Sequence, residues 1–374
     1  MTIAIAGAAE SDLGLVAPGL TATDLMAQAA LRALEDCGLE TADVDGLYAA
    51  STQLPWASLN LGEALGLRDA RTHDSTMVGG GSPIAHLAHA RAAIAAGDCD
   101  VALIAYGSTQ RSIGRDKASV QEVSQWEAPY RPVLPLSAYA LAAARHMHEF
   151  GTTPEQLARV AVTAREWALD NPRAWTYGKG PLTVEEVLAA PRICDPLGVK
   201  DCCLLTDGGG ALVVTSAERA RTLKQPPVHV LGTGQASSHR HLSSMPSLTE
   251  TAAVRSGARA FAQARLAASD VTCVQLYDAF TITPIMFLED LGFCAKGDGG
   301  PFVASGATAP GGALPMNTNG GGLSYQHPGM YGLLLLVEAV RQIREGGHDV
   351  VLAHGNGGVF SAQMTAILGS ESVA

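Results

Sequence analysis

The sequence predicts a duplicated α/β protein, and three observations predict it. Strand-like and helix-like segments alternate along the chain, the pattern of layered sheets joined by crossover helices. Two glycine runs, Gly79–Gly81 and Gly320–Gly322, each precede a helical pattern. Each of those helices ends in the same order of features. GDCDVALIAYG at 97–107 and GGHDVVLAHG at 346–355 both give a glycine stop, an Asp-Val pair, an apolar strand and a glycine exit.

Taken in order, Ile3–Gly7 reads as a strand. Thr21–Cys37 reads as an amphipathic helix, capped by Thr21 or Thr23 and stopped by Gly38. Asp45–Ala49 is a strand. His73–Met77 leads into the first glycine run, the helix Pro83–Ala96 and the strand Asp100–Tyr106. Ser108–Pro135 is polar and reads as an inserted loop region. Helices follow over Pro135–Phe150 and Pro154–Asp170. Thr153 caps the second, and Glu155 lies in its first turn, where the helix dipole favours an acid. Asp201–Ser216 holds a glycine turn, Gly208–Gly210, and a buried strand. Pro226–Gly234 is the crossing into the second half. There Val271–Tyr277 is a strand, and the second glycine run opens the helix Gly329–Glu345. The expected division is therefore 1–225, with an insertion over about 108–200, and 226–374.

A chain of 374 residues suits two units of similar size. With 47% hydrophobic and 16% charged residues it can bury a large core. The net charge of −11, with no basic stripe or zinc-finger spacing, argues against nucleic acid. No uncharged apolar stretch reaches about 18 residues, so no membrane span is expected. The start lacks the basic region and apolar length of a signal peptide, which points to a cytoplasmic location. The seven cysteines include no C-x-x-C pair; reduced thiols and no metal site are expected.

Polar residues gather beside the glycine runs. Tyr277 and Asp278 end a strand. Asn317, Asn319, Tyr325, His327 and Tyr331 crowd the second run, and His354 and Asn356 end the last strand in HGNGG. Open α/β sheets bind ligands at such strand ends. Helix N-termini offer unpaired N–H groups suited to an oxyanion such as a thioester enolate. The plainer reading is packing: glycines for tight strand-to-helix contact, tyrosines for core.

YDAFTITPIMFLEDLGF, NTNGGGLSYQHPG and HGNGG resemble the second-half motifs of thiolases, in the sterol carrier protein X-type branch. DSTMVGGGSPIAHLAHA resembles that branch's nucleophile loop. The resemblance implies a five-layered αβαβα thiolase fold, a coenzyme A thioester as substrate, no permanently bound cofactor and a homodimer. The family's nucleophilic cysteine falls on Val78, or on Met77 if the alignment slips by one. Its Gly-His-Pro histidine falls on His327, with Gln326 in place of the glycine. Its second, acid–base cysteine falls on His354. The residue that holds water before an acidic neighbour falls on Tyr277, before Asp278. Gly79, Gly80, Gly321 and Gly357 then line the thioester. Arg111, Arg115 and Lys117 either meet the CoA phosphates or form a solvated loop face.

A valine cannot carry an acyl group, so thiolysis and Claisen condensation lose their covalent step. Ser82 is about one helical turn on and has no evident base. Retro-aldol cleavage of a 3-hydroxyacyl-CoA needs no nucleophile. It needs a base for the hydroxyl, a site for the enolate oxygen and an acid for the carbon. A tyrosine phenol, with a pKa of about 10, suits an alkoxide better than a carboxylate does. The first reading is thus an aldolase-type lyase acting on sterol-type or other branched side chains. Tyr277, Tyr325 or Tyr331 serves as acid–base, His327 holds the thioester oxygen, and His354 and Asp278 complete the site. Cysteine-lacking relatives that cleave sterol or bile-acid side chains work with a small OB-fold, zinc-ribbon protein, and the resemblance implies such a partner here. Two other readings stand beside it: a non-catalytic acyl-CoA or lipid-binding scaffold subunit, and an acyltransferase of the acetyl-CoA acetyltransferase type with another nucleophile. The retained His327 and the new Tyr and His groups favour an enzyme.

Overall fold

The computed structural model describes residues 2–114 and 122–374. Its nine main strands are β1 (Ile3–Glu10), β2 (Gly46–Ala49), β3 (Thr72–Asp74), β4 (Val101–Ser108), β5 (Gly208–Ser216), β6 (Val228–Ser237), β7 (Cys273–Leu276), β8 (Val350–Gly357) and β9 (Ala362–Gly369). They hydrogen-bond in the order β3-β2-β4-β5-β1-β6-β9-β8-β7. The first five read β3-β2-β4-β5-β1, and the last four, from the far end, read β7-β8-β9-β6. The place matching β3 is held by one parallel bridge, Val274 to Met316. Strand order thus repeats along the chain. Among the described residues the two sets pair through Ala4 with His229 and Ile5 with Val228.

The longer helices are α1 (Ala22–Cys37), α2 (Ala57–Leu65), α3 (Ser82–Ala96), α4 (Leu136–Phe150), α5 (Pro154–Ala168), α6 (Ala253–Ala264), α7 (Ile282–Asp290) and α8 (Gly332–Arg344). α1 forms because Thr21 accepts the Asp24 N–H at 3.2 Å while Asp24 accepts the Thr21 N–H at 2.8 Å, a reciprocal cap. Gly38 ends it in a left-handed conformation that costs glycine nothing. α1 lies on β1, β4 and β5, and α6 lies on β6 and β9. α3 and α8 touch each other and reach strands of both sets. The layers are therefore helix, sheet, paired central helices, sheet, helix, the five-layered αβαβα arrangement. A central helix has no solvent face, which explains why Leu333 to Val340 of α8 are all buried, Glu338 included.

Two local expectations need correction. Gly208–Gly210 lie inside β5, not in a turn; a Cβ at Gly209 would run into the Tyr106 carbonyl of β4. Gly320–Gly322 do not open α8. They enter a separate π-helical turn, Gly321–Tyr325, and the loop after it carries His327 before α8 begins. β3 stands at one end of the strand order, and it is polar, Thr-His-Asp. Among the described residues no helix is long and apolar enough to cross a membrane. Nor does any group of three or more His, Cys, Asp or Glu stand ready for a metal ion.

Candidate functional site

The first glycine run and the HGNGG motif meet backbone to backbone. At the start of α3, Ser82 Oγ donates to Gly79 O at 2.7 Å and accepts from Val78 N at 2.9 Å, closing the turn. Ser82 is fully buried and its hydroxyl is committed to this turn. Gly79 has φ 72°, and a Cβ there would lie 2.8 Å from Gly358 N and 2.9 Å from Gly357 Cα. A side chain on either motif would push the two apart.

Beside that junction stands His327. Its ring is buried, and among the described residues neither Nδ1 nor Nε2 has a hydrogen-bond partner. Tyr277 meets the ring edge-on at 5.6 Å, and Tyr331 stacks over it at 6.0 Å. The Tyr277 hydroxyl lies against Gly80, where a Cβ would be 2.5 Å from it, and accepts the Tyr331 N–H at 3.3 Å. That N–H belongs to the residue capping α8, so the phenol oxygen sits at a helix N-terminus. Among the described residues no acceptor takes the Tyr277 proton. Tyr331 differs: its hydroxyl donates to Asn319 Oδ1 at 2.9 Å.

Tyr325 and His354 are placed elsewhere, while Asp278 stands near His327, both against Gly322. Tyr325 turns away from His327 and donates to Glu10 Oε2 at 2.8 Å, in a cluster with Arg173 and Arg341. His354 faces Phe287 edge-on at 4.6 Å and spends both ring nitrogens, on Thr365 and Gln363, each at 2.9 Å. Asp278 accepts Gly322 N–H at 2.7 Å and Leu323 N–H at 3.3 Å, so it caps the π-helical turn. Gly321 packs on that carboxylate. Gly79, Gly80 and Gly357 do come together with Tyr277. Arg111 donates to Leu205 O at 2.9 Å and lies 4.4 Å over the Trp175 ring. Arg115 and Lys117 lie outside the described residues.

The structure adds groups that the sequence reading passed over. Tyr106, at the end of β4, donates to Pro328 O and accepts Met330 N–H at 3.0 Å. Thr206 accepts the His327 N–H at 2.9 Å. Tyr139 of α4 donates to Gly358 O at 3.2 Å and accepts from Asn356 at 2.7 Å. Tyr106 was signalled by its strand-end position in the first repeat; Thr206 and Tyr139 had no such mark.

Residues 234–370 match the model of the thiolase C-terminal domain-like family. The chain is 35% identical to a steroid side-chain-cleaving aldolase of Thermomonospora curvata, over 87% of this chain and 86% of that protein. It is 36% identical to the 17-hydroxy-3-oxo-4-pregnene-20-carboxyl-CoA lyase of Mycobacterium tuberculosis, over 86% of each. The solved structure of an Ltp2-ChsH2(DUF35) aldolase superposes with a TM-score of 0.87 at 32% identity, covering 99% of this chain and 98% of that one. The chain belongs to the thiolase superfamily, in its sterol carrier protein-type, aldolase-like branch. It is an enzyme of that superfamily.

In this thiolase-superfamily member, burial sets the protonation states. It raises the Tyr277 phenol well above its ordinary value, with Cys203, Tyr139 and Tyr106 adding to the rise and the Tyr331 N–H opposing it. The phenol is therefore neutral at pH 7. Burial also pushes His327 down to about 4, so the imidazole is neutral, with one N–H to give and one lone pair to receive. Asp278 is raised to about 6 by burial, against the lowering effect of its two backbone donors. A buried imidazole with two unmet nitrogens is costly unless a ligand completes it. A neutral imidazole, a neutral phenol and a helix N-terminus standing together are groups that suit an enolate oxygen and a moving proton.

Proposed function

We propose that the chain cleaves a 3-hydroxyacyl-CoA by retro-aldol reaction, with no acyl-enzyme. The carrying observation is the buried, unpartnered His327 ring beside Tyr277, at a junction where Val78 stands in the nucleophile position. His327 N–H and backbone N–H groups hold the thioester oxygen as it gains charge. Tyr277 receives the 3-hydroxyl proton and gives its own to the carbon that becomes C2 of the product thioester. The C2–C3 bond breaks, C3 becomes a ketone, and the tyrosine ends as it began. Tyr277 is chosen over Tyr325 and Tyr331 because those two hydroxyls are bound to Glu10 and Asn319. His354 and Asp278 support the site without touching substrate.

The relatives' names support a substrate with a bulky, tertiary 3-carbon of sterol type. They also support a complex with a second protein, which in this proposal is a small OB-fold chain with a zinc ribbon. No permanent cofactor takes part, and the setting is the cytoplasm. The free edge of β3 and the exposed Trp56, Leu59 and Met77 favour a homodimer. Sedimentation of the purified chain at micromolar concentration should give two chains per particle; a monomer overturns that assembly.

The test of the reaction is cleavage of such a thioester, followed by the appearance of ketone and shortened acyl-CoA, with the partner present. Intact mass after acetyl-CoA or acetoacetyl-CoA should be unchanged. A stable acetyl adduct on any residue means an acyltransferase, and tight binding without cleavage means a scaffold subunit.

A further inference from the structure

His327 lies on a loop of the second half, yet its backbone is held by the first. Thr206 Oγ1 accepts the His327 N–H at 2.9 Å, and Thr206 N donates to His327 O at 3.3 Å. Thr206 is fully buried. The residues before it run alongside the same region. Cys203 N donates to Ala279 O at 2.9 Å, and Leu204 N donates to Gly322 O at 2.9 Å. On its other side, Asp207 and Gly14 exchange backbone hydrogen bonds at 2.8 and 2.9 Å, tying this segment to the loop after β1. After His327 comes Pro328, which has no N–H to anchor the loop. Its carbonyl instead accepts from Tyr106, whose oxygen accepts Met330 N–H at 3.0 Å.

We infer that Thr206 is a positioning residue, with Tyr106 as its second anchor, and that it fixes where the His327 ring stands relative to Tyr277. The inference rests on the retro-aldol reading above. A ring whose nitrogens make no hydrogen bond among the described residues gains nothing from side-chain hydrogen bonds to hold it. Its place is set by its backbone and by the faces of Tyr277, Tyr331 and Gly322. Thr206 takes both backbone polar groups of His327, so it controls the backbone part of that placement. Valine has nearly threonine's shape but no acceptor. It leaves a buried N–H unmet, and the loop must shift or open to satisfy it. A displacement of about 1 Å at a catalytic group can cost about 100-fold in rate.

The experiment uses the full chain with its partner and the 3-hydroxyacyl-CoA of the cleavage assay. Thr206→Val should lower kcat roughly 10- to 100-fold, with KM changed by less than about 3-fold. Thr206→Ser keeps the acceptor oxygen and should recover kcat to within about 3-fold of wild type. The deciding measurement is a double-mutant cycle. In the His327→Ala background, Thr206→Val should have almost no further effect on kcat, because the ring it positions is gone. Equal losses in both backgrounds, or a Thr206→Ser variant as slow as Thr206→Val, overturn the inference. If His327→Ala itself is near wild type, the retro-aldol assignment of His327 fails. If His327→Ala is inactive but Thr206→Val is fully active, only the positioning role fails. If Thr206→Val does not fold, Tyr106→Phe carries the same cycle, since it removes the second anchor and keeps the ring.

Discussion

Tyr277→Phe should lower kcat for thioester cleavage by roughly 10²–10⁴-fold, the usual cost of losing a general acid–base group. Binding should change little. The ring keeps its edge contacts with His327 and Tyr331 at 5.6 and 6.1 Å, and only the oxygen leaves. The Tyr331 N–H loses its acceptor, which costs about 1 kcal/mol of stability and leaves most of the protein folded at room temperature. Tyr331→Phe and Tyr325→Phe are the matched controls, because their hydroxyls are spent on Asn319 and Glu10. Each should stay within about 10-fold of wild type, short of a general acid–base loss. Turnover of Tyr277→Phe near wild type would remove the phenol from the mechanism. A larger loss in Tyr325→Phe than in Tyr277→Phe would move the proton shuttle to the Glu10 cluster.

Much of this fold could be read from local signals, because the chain uses them twice. The Asp-Val strands β4 and β8 each follow a glycine stop, and Thr21 with Asp24 writes a cap into four residues. The second glycine run misled because its partner is remote. Asp278, 44 residues before Gly322, supplies the carboxylate that caps the π-helical turn, and no local pattern shows that. His354 packs against Phe287 rather than His327 for another reason. Side chains alternate along a strand. Gly355 and Gly357 of β8 face the α3 side, with Gly81 and Val78, so His354 and Asn356 must face the other way. There His354 meets Phe287, and Asn356 meets Tyr139. Residue type suggested that His354 joins His327, and parity turns its side chain to Phe287 instead. That Tyr277 and His327 would be neighbours was legible, because strand end and loop both deliver them to the same side.

The glycines that make this junction should divide into two effects when each is given one methyl group. Gly357→Ala should cost stability first. Its Cβ would fall inside the Val78 carbonyl, and the Val78 carbonyl carbon would be 2.7 Å away. Both are backbone atoms of a turn closed by Ser82, so neither can swing aside as a side chain could. The two halves must separate there, and overpacking of this kind costs about 1–3 kcal/mol or more. Gly80→Ala meets a side chain instead. Its Cβ would crowd the Tyr277 ring and lie 2.5 Å from the hydroxyl. The ring is packed by His327 and Tyr331 and has little room to retreat, so the methyl should push the phenol oxygen off the Tyr331 N–H. Thermal melts and cleavage rates on the two variants separate these cases. Gly357→Ala should melt several degrees lower, by about the same energy argument. Gly80→Ala should melt closer to wild type and lose roughly 10²-fold in kcat, as misplacing a catalytic group does. A Gly80→Ala enzyme with full activity would mean that the Tyr277 hydroxyl does not need its seat between Gly80 and the start of α8.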